Sequence, residues 1–253
     1  MSVPPSVPPS ASPAPQSVTV GFLYPGYSAE DDYPLMERML GPEVSLPLVH
    51  TTMEVDAHRE DALLAIGGDA VLAEGAERLR PHGVAALVWA CTSGSFIFGW
   101  DGAQRQVDAL SLVLGVPATS TSLAFVAAAR RLGLRRVAVA ATYPEDIAKR
   151  FADFLTAGGL EVLRVSGEGI ITAAEVGTLG REATLALAAA NDDPRADAVL
   201  LPDTALHTVG WLDDLERSRG KPVLTANQVS VWAGLQLAGY PTRHPGLGAL
   251  FAQ

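Results

Sequence analysis

Two short stretches decide the fold: ALVWACTSGSF at residues 86–96 and AVLLPDTAL at residues 198–206. Each is an apolar run without alternation that breaks off into a polar turn. Such runs belong to parallel strands covered on both faces. Comparable runs occur at Val18–Tyr24, Val44–His50, Val84–Ala90, Val137–Ala141, Leu160–Val165, Ala196–Leu201 and Pro222–Thr225. Helical patterns lie between them, near Pro34–Leu40, Ala70–Arg80, Ala103–Leu114, Thr121–Leu132, Pro144–Ala157, Ala173–Ala190, Leu206–Arg217 and Gln228–Ala238. This alternation predicts an α/β fold with parallel sheets flanked by helices. Gly115, Gly133 and Gly158 stand where a left-handed residue ends a helix. Ser120 and Ser122 are placed to cap the helix that follows them.

The chain also repeats its own plan. Tyr24-Pro25 closes the first strand, and Tyr143-Pro144, 119 residues later, closes the strand that opens the second half. Cys91 and Asp203 follow their strands in the same manner, 112 residues apart. Two pseudo-symmetric α/β lobes are the simplest source of such rhymes, with residues 18–118 plus 226–253 forming the first and 119–225 the second. Generic strand–helix repetition is the alternative. Parallel sheets bind ligands beyond the carboxyl ends of their strands. Facing lobes then put Cys91 and Asp203 on opposite walls of one interlobe cleft.

Composition bounds the function. Apolar residues make up 48% of the 253 residues and charged ones 18%, enough for a substantial core. With 18 Lys+Arg against 28 Asp+Glu, the net charge of −10 argues against a nucleic-acid or anionic-membrane partner. A single cysteine excludes intramolecular disulfides and cysteine-cluster metal sites. The five histidines show no metal-ligand spacing. Gly67-Gly68-Asp69 is a turn before a helix without the spacing of a dinucleotide-binding loop. Residues 1–17 hold six Pro, five Ser and no charge, without the basic and apolar regions of a signal peptide. They read as a disordered tail, and a cytoplasmic location is the default expectation.

Cys91 leads the candidates for chemistry. Backbone N–H groups and the hydroxyls of Thr92 and Ser93 in its turn are expected to favour thiolate over thiol, against a free-cysteine pKa of about 8.5. The alternative is a buried cysteine acting as a small hydrophobe. Asp203 can be a base, a ligand for an ammonium group, or the cap of a helix beginning near Leu206. His207 can assist a proton transfer or lie on a helix surface. Tyr24 and Tyr143 close matching strands, where a phenol can bind a carboxylate or simply pack. Glu30-Asp31-Asp32 places acids at a helix start and makes the cleft mouth acidic.

These residues resemble the aspartate/glutamate racemase superfamily, in its maleate isomerase and arylmalonate decarboxylase branch. The carriers are ACTSGSF at Ala90–Phe96, ATY at Ala141–Tyr143, FLTAGGLEV at Phe154–Val162, and GKPVLTANQVSVW at Gly220–Trp232. The racemase-like proteins of ectoine utilisation are a neighbouring subgroup. The resemblance implies two pseudo-symmetric lobes, no cofactor, and chemistry at the carbon next to a carboxylate. It assigns Cys91 to the first-lobe catalytic thiol, Thr92 and Ser93 to the carboxylate-binding turn, and Tyr143 to the family tyrosine. Thr204 and Ala205 join the substrate-binding set. Asp203 stands where the isomerases carry a second thiol, Thr142 replaces a proline, and Ala148 replaces an asparagine.

Those departures narrow the reaction. One thiol cannot run a symmetric two-thiol racemisation. A carboxylate at Asp203 facing a dicarboxylate costs roughly 4 kcal/mol at about 4 Å and an effective dielectric of ~20, unless it is protonated or meets an ammonium. The expected function is a cofactor-independent isomerase or decarboxylase of a small carboxylic acid, using Cys91. The alternatives are a racemase-like enzyme with a Cys91/Asp203 pair, or a carboxylate-binding protein without catalysis. Homo-oligomerisation is left open.

Overall fold

The computed structural model describes residues 17–240 and 243–252. The tail expected over residues 1–17 therefore falls, but for its last residue, outside the described residues. The first half builds β1 (Val18–Pro25), α1 (Asp32–Leu40), β2 (Val44–Ser45), β3 (Leu48–Thr51), α2 (Glu60–Ile66), α3 (Asp69–Leu79), β4 (Ala86–Trp89), α4 (Ser93–Phe96), α5 (Gly99–Leu114), β5 (Ala118–Ser120) and α6 (Thr121–Arg131). The second builds β6 (Arg136–Ala141), α7 (Glu145–Ala157), β7 (Glu161–Gly167), α8 (Ala173–Val176), α9 (Arg181–Ala190), β8 (Ala198–Leu201), α10 (Leu212–Arg219), β9 (Val223–Thr225) and α11 (Ala226–Leu237). One sheet runs β2-β1-β4-β5, with β3 also on β1, and the other runs β7-β6-β8-β9. Every strand pair is parallel.

The strands are central because their sequences are apolar on both faces. All four residues of β4 and all four of β8 are buried. Each sits beside a long central strand, with Leu23 opposite Trp89 in one sheet and Val139 opposite Leu200 in the other. The matched pairing sends Cys91 and Asp203 out from equivalent strand ends, two residues beyond β4 and β8. Helix α11 begins with a capping box between Thr225 and Gln228 and packs against α6, β1, β4 and β5 of the first sheet.

Several elements differ from the sequence expectation, each for a local reason. The single strand expected over Val44–His50 splits into β2 and β3 around Pro47, which has no N–H for a ladder. The helix expected over Ala173–Ala190 breaks at Gly177–Gly180 into α8 and α9. At Gly177 a Cβ would fall 2.3 Å from the Ser28 hydroxyl, so the chain passes close to the first lobe there. The helix expected from Leu206 starts only at Leu212, because the N–H groups of Thr208 and Val209 are drawn to Asp32 across the cleft. Gly115 and Gly133 take positive φ as expected, whereas Gly158 stays right-handed and Gly159, with φ 90°, makes the turn. Ser120 caps α6 by accepting from Leu123 N–H, while Ser122 donates to the Thr92 carbonyl instead. No described helix is long and apolar enough to cross a membrane.

A buried polar clasp joins the halves. Asp32, at the start of α1, accepts from Thr208 N–H (3.1 Å), Val209 N–H (3.4 Å) and the Asn227 side-chain amide (3.0 Å). That amide also lies 3.2 Å from the Thr204 carbonyl, and the Tyr24 hydroxyl donates to the same carbonyl at 2.9 Å. Burial pushes the Asp32 carboxyl up, and the Asn227 and backbone donors only partly offset it. Removing the acceptor strands these donors, and an unsatisfied buried group costs about 1–3 kcal/mol. Asp32→Ala is therefore expected to lose about that much stability in urea unfolding, with an unchanged slope; an unchanged midpoint contradicts the clasp.

Candidate active site

The carboxyl ends of β4 and β8 converge on one cavity of about 30 Å³. Its lining includes Tyr24, Cys91 and Ser93 from the first lobe, Asp203, Thr204 and Ala205 from the second, and His58 from the segment after β3. Pro25, Met53, Val55, Leu63, Ile66 and Ala173 add apolar surface, and Asp56 and Ala57 complete the lining. Thr92 and Tyr143 are buried outside this lining, directly behind the cysteine turn. The Thr92 hydroxyl has no hydrogen-bond partner.

Cys91 is 3% exposed. The Gly94 N–H points at its sulfur from 3.3 Å, and the Ser93 hydroxyl lies 3.8 Å away. The turn is tightly packed at Gly94, where a Cβ would come 3.0 Å from the Trp89 ring and 3.1 Å from the sulfur. Gln106 ties the turn down by donating to the Gly67 and Gly94 carbonyls. These donors do not deliver the thiolate expected from the sequence. Burial pushes the thiol up to about 12, Asp203 adds to the rise, and the Gly94 and Ser93 contacts only moderate it. The thiol is an acid that keeps its proton.

Asp203 is 4% exposed and held at both oxygens. One accepts from the Thr142 hydroxyl, the other from Ala205 N–H at 2.9 Å. The carboxylate thus folds its own turn and faces the cavity, and α10 starts well beyond it. The Tyr143 hydroxyl donates to the Pro202 carbonyl at 3.0 Å, just as Tyr24 reaches Thr204. Burial raises both phenols well above their ordinary range, so both remain donors.

A strap closes the cavity. Residues 52–59 leave the first lobe and fasten onto residues 170–174 of the second. The Asp56 carboxylate accepts from Ala173 N–H (2.8 Å) and Ala174 N–H (3.0 Å). His58 N–H donates to the Ile171 carbonyl at 2.6 Å, and the His58 ring Nδ1 lies 3.1 Å from the Ile170 carbonyl. His58 Nε2 stands 3.8 Å from Asp203. A groove of about 290 Å³ lies beside the strap and shares Val55 and Ile66 with the cavity.

Sequence reasoning did not find His58 or Asp56, since their partners lie more than a hundred residues away and no local pattern marks them. It left His207 to assist a proton transfer or to lie on a helix surface. His207 holds Asp31 at 2.8 Å and does not line the cavity. Ala148, where the resemblance implies an asparagine, is buried in α7.

Comparison with known proteins points one way. Residues 65–251 match the family model described as arylmalonate decarboxylase. The chain is 32% identical over 194 residues to an arylmalonate decarboxylase of Bordetella bronchiseptica, covering 73% of this chain and 80% of that protein. It is 29% identical over 140 residues to a maleate isomerase of Alcaligenes faecalis, covering 54% of each. The fold is shared with a crystallised variant of the maleate isomerase Iso from Pseudomonas putida with maleate. That superposition gives a TM-score of 0.85 at 21% identity over 94% of this chain and 98% of the other.

The strap's fastening is open to test by hydrogen exchange. Asp56→Ala is expected to speed exchange at the amides of Ala173 and Ala174 about tenfold, the equivalent of roughly 1.4 kcal/mol from two charge-assisted bonds. Unchanged exchange at both amides shows that Asp56 does not hold the strap.

Proposed function

Because the chain belongs to the arylmalonate decarboxylase family, we propose that it is a cofactor-independent decarboxylase that protonates the carbon next to the surviving carboxylate of a small malonate-type acid. The observation that carries this reading is a buried Cys91 on the wall of one cavity with Asp203, whose carboxylate is fixed by Thr142 and Ala205. The C–C bond to one carboxylate breaks and CO2 leaves with no charge. The bonding electrons pass to an enediolate on the remaining carboxylate. The Cys91 S–H bond then breaks as the new C–H bond forms, leaving a thiolate.

Charge favours this outcome over alkene isomerisation. A dicarboxylate facing Asp203 is repelled; CO2 leaves neutral, so both charges stay on the enediolate until Cys91 protonates the carbon and one of them passes to sulfur, away from the product that must leave. Maleate isomerisation keeps both carboxylates in place. It also begins with nucleophilic attack by a thiolate, and burial here disfavours that form. The apolar surface of Met53, Val55, Leu63 and Ile66 suits the departing CO2 or an organic substituent. In this reading the retained carboxylate rests against Ser93 in the cysteine turn, and enediolate charge is held by fixed donors.

The cavity volume is about that of one water, so substrate entry requires the 52–59 strap to lift. Closure afterwards excludes the solvent that would otherwise quench the carbanion without selectivity.

A racemase-like second reading, in which Asp203 removes a proton and Cys91 returns one, is favoured by the placement of both groups on one cavity. Proton NMR in D2O with phenylmalonate, maleate and free amino acids separates the reactions. Decarboxylation releases CO2 and puts one deuteron on the α-carbon, racemisation exchanges α-protons without CO2, and isomerisation changes alkene geometry. Phenylmalonate is expected to lose CO2, and Cys91→Ala to lose at least about 100-fold in turnover while remaining folded. Full turnover in Cys91→Ala removes the sulfur from the mechanism.

A further inference from the structure

Loss of CO2 consumes one proton in each cycle. The proton comes from Cys91, so the thiolate left behind must be recharged inside a cavity with room for about one water. Two histidines approach the cleft, and only His58 lines the cavity.

The ring of His58 is fixed on three sides. Its Nδ1 lies 3.1 Å from the Ile170 carbonyl, and a carbonyl oxygen can only accept, so Nδ1 carries a proton. The Tyr143 ring stands edge-on to it, with centroids 4.8 Å apart and planes at 69°. Its main-chain N–H is bonded to Ile171. Nε2 is thereby aimed at Asp203 across 3.8 Å. A proton on Nε2 would point at a carboxylate already held by Thr142 and Ala205. The neighbouring charges do not compete for this role. Asp56, on the same strap, is committed to Ala173 and Ala174, and Arg59 turns outward to Asp61. Tyr24 and Tyr143 keep their protons on backbone carbonyls.

We propose that His58, oriented by Ile170 and Asp203, is the acid that returns a proton to Cys91 after each turnover, a role that rests on the decarboxylase reading above. The Nε2–H bond breaks and the S–H bond forms, the proton passing across one water in the cavity that both side chains line. The neutral imidazole then recovers its proton from solvent when the strap opens. A buried thiol near 12 takes a proton from an imidazolium readily, so the transfer runs downhill. This divides the work between two acids, with sulfur serving the carbon and nitrogen serving the sulfur. It also gives Asp203 a purpose in a site where a second thiol is missing.

Rapid-quench kinetics with phenylmalonate distinguish this from a structural role. In His58→Gln, whose Cys91 begins protonated, the first turnover is expected at close to the wild-type rate. It is followed by a steady state slowed about 100-fold, giving a burst of one product per site. Added imidazole is expected to restore the steady state. A slowed first turnover, or an undiminished steady state, overturns the proposal. Nitrogen-15 NMR of His58 gives a readout independent of substrate. Both ring nitrogens are expected to be protonated at neutral pH, and Asp203→Asn to lose the Nε2 proton. A neutral ring in the unaltered protein overturns the proposal. A failure of the unaltered protein to decarboxylate phenylmalonate, with both ring nitrogens protonated, counts against the decarboxylase reading and leaves the charged His58–Asp203 pair standing.

Discussion

Desolvation of the Cys91 sulfur is the constraint on which the rest of the site depends. Buried beside Asp203, the thiol holds its proton up to about 12, and a proton-holding thiol is an acid before it is a nucleophile. Everything packed around it maintains that condition. Gly94 lets the turn close over the sulfur, Gln106 pins the turn from behind, and the 52–59 strap lines the cavity in front of it. A site open to water would restore the ordinary thiol and lose the distinction between donor and nucleophile.

The near-symmetry of the two lobes explains where the groups stand, and its breaking explains what they can do. Both halves send a tyrosine and a reactive side chain out of matched strand ends. A thiol on both walls would allow proton removal by one and delivery by the other. Here the second wall carries a carboxylate whose oxygens are tied to Thr142 and Ala205, backed by a histidine from the opposite lobe. The asymmetry replaces a pair of like groups with one thiol facing a charged wall, and the proposed decarboxylation, which ends with protonation of carbon, needs only one acid. The same contacts hold the lobes together. Tyr24 and Asn227 meet on the Thr204 carbonyl, and Asp32 gathers Thr208, Val209 and Asn227.

Much of this architecture was legible in the chain, because apolar runs and their polar endings are local signals. The parallel sheets, and the meeting of Cys91 and Asp203 at one cavity, follow from ALVWACTSGSF and AVLLPDTAL with the rule that parallel strands open at their carboxyl ends. What escaped were contacts between segments distant in sequence. His58 reaches Asp203 and Asp56 reaches Ala173 from a stretch with no periodicity, and Asp32 reads as a helix-starting acid until the second lobe is present. The direction of the thiol shift was also misread, since nearby donors are visible in a sequence and depth of burial is not. Thr142 entered only as a departure from a family pattern, although it grips Asp203. Breaks at Pro47 and Gly177–Gly180 were written in the residues but outweighed by the apolar pattern around them.

The measurement that bears most directly on this account is the ionisation of the single cysteine, followed by thiolate absorbance in an alkaline titration of the folded protein and of Asp203→Asn. The account predicts no thiolate in the unaltered protein through the neutral and mildly alkaline range, with ionisation approaching about 12, and an earlier onset once the Asp203 charge is removed. A thiolate already present at neutral pH, or an onset indifferent to Asp203, would contradict it.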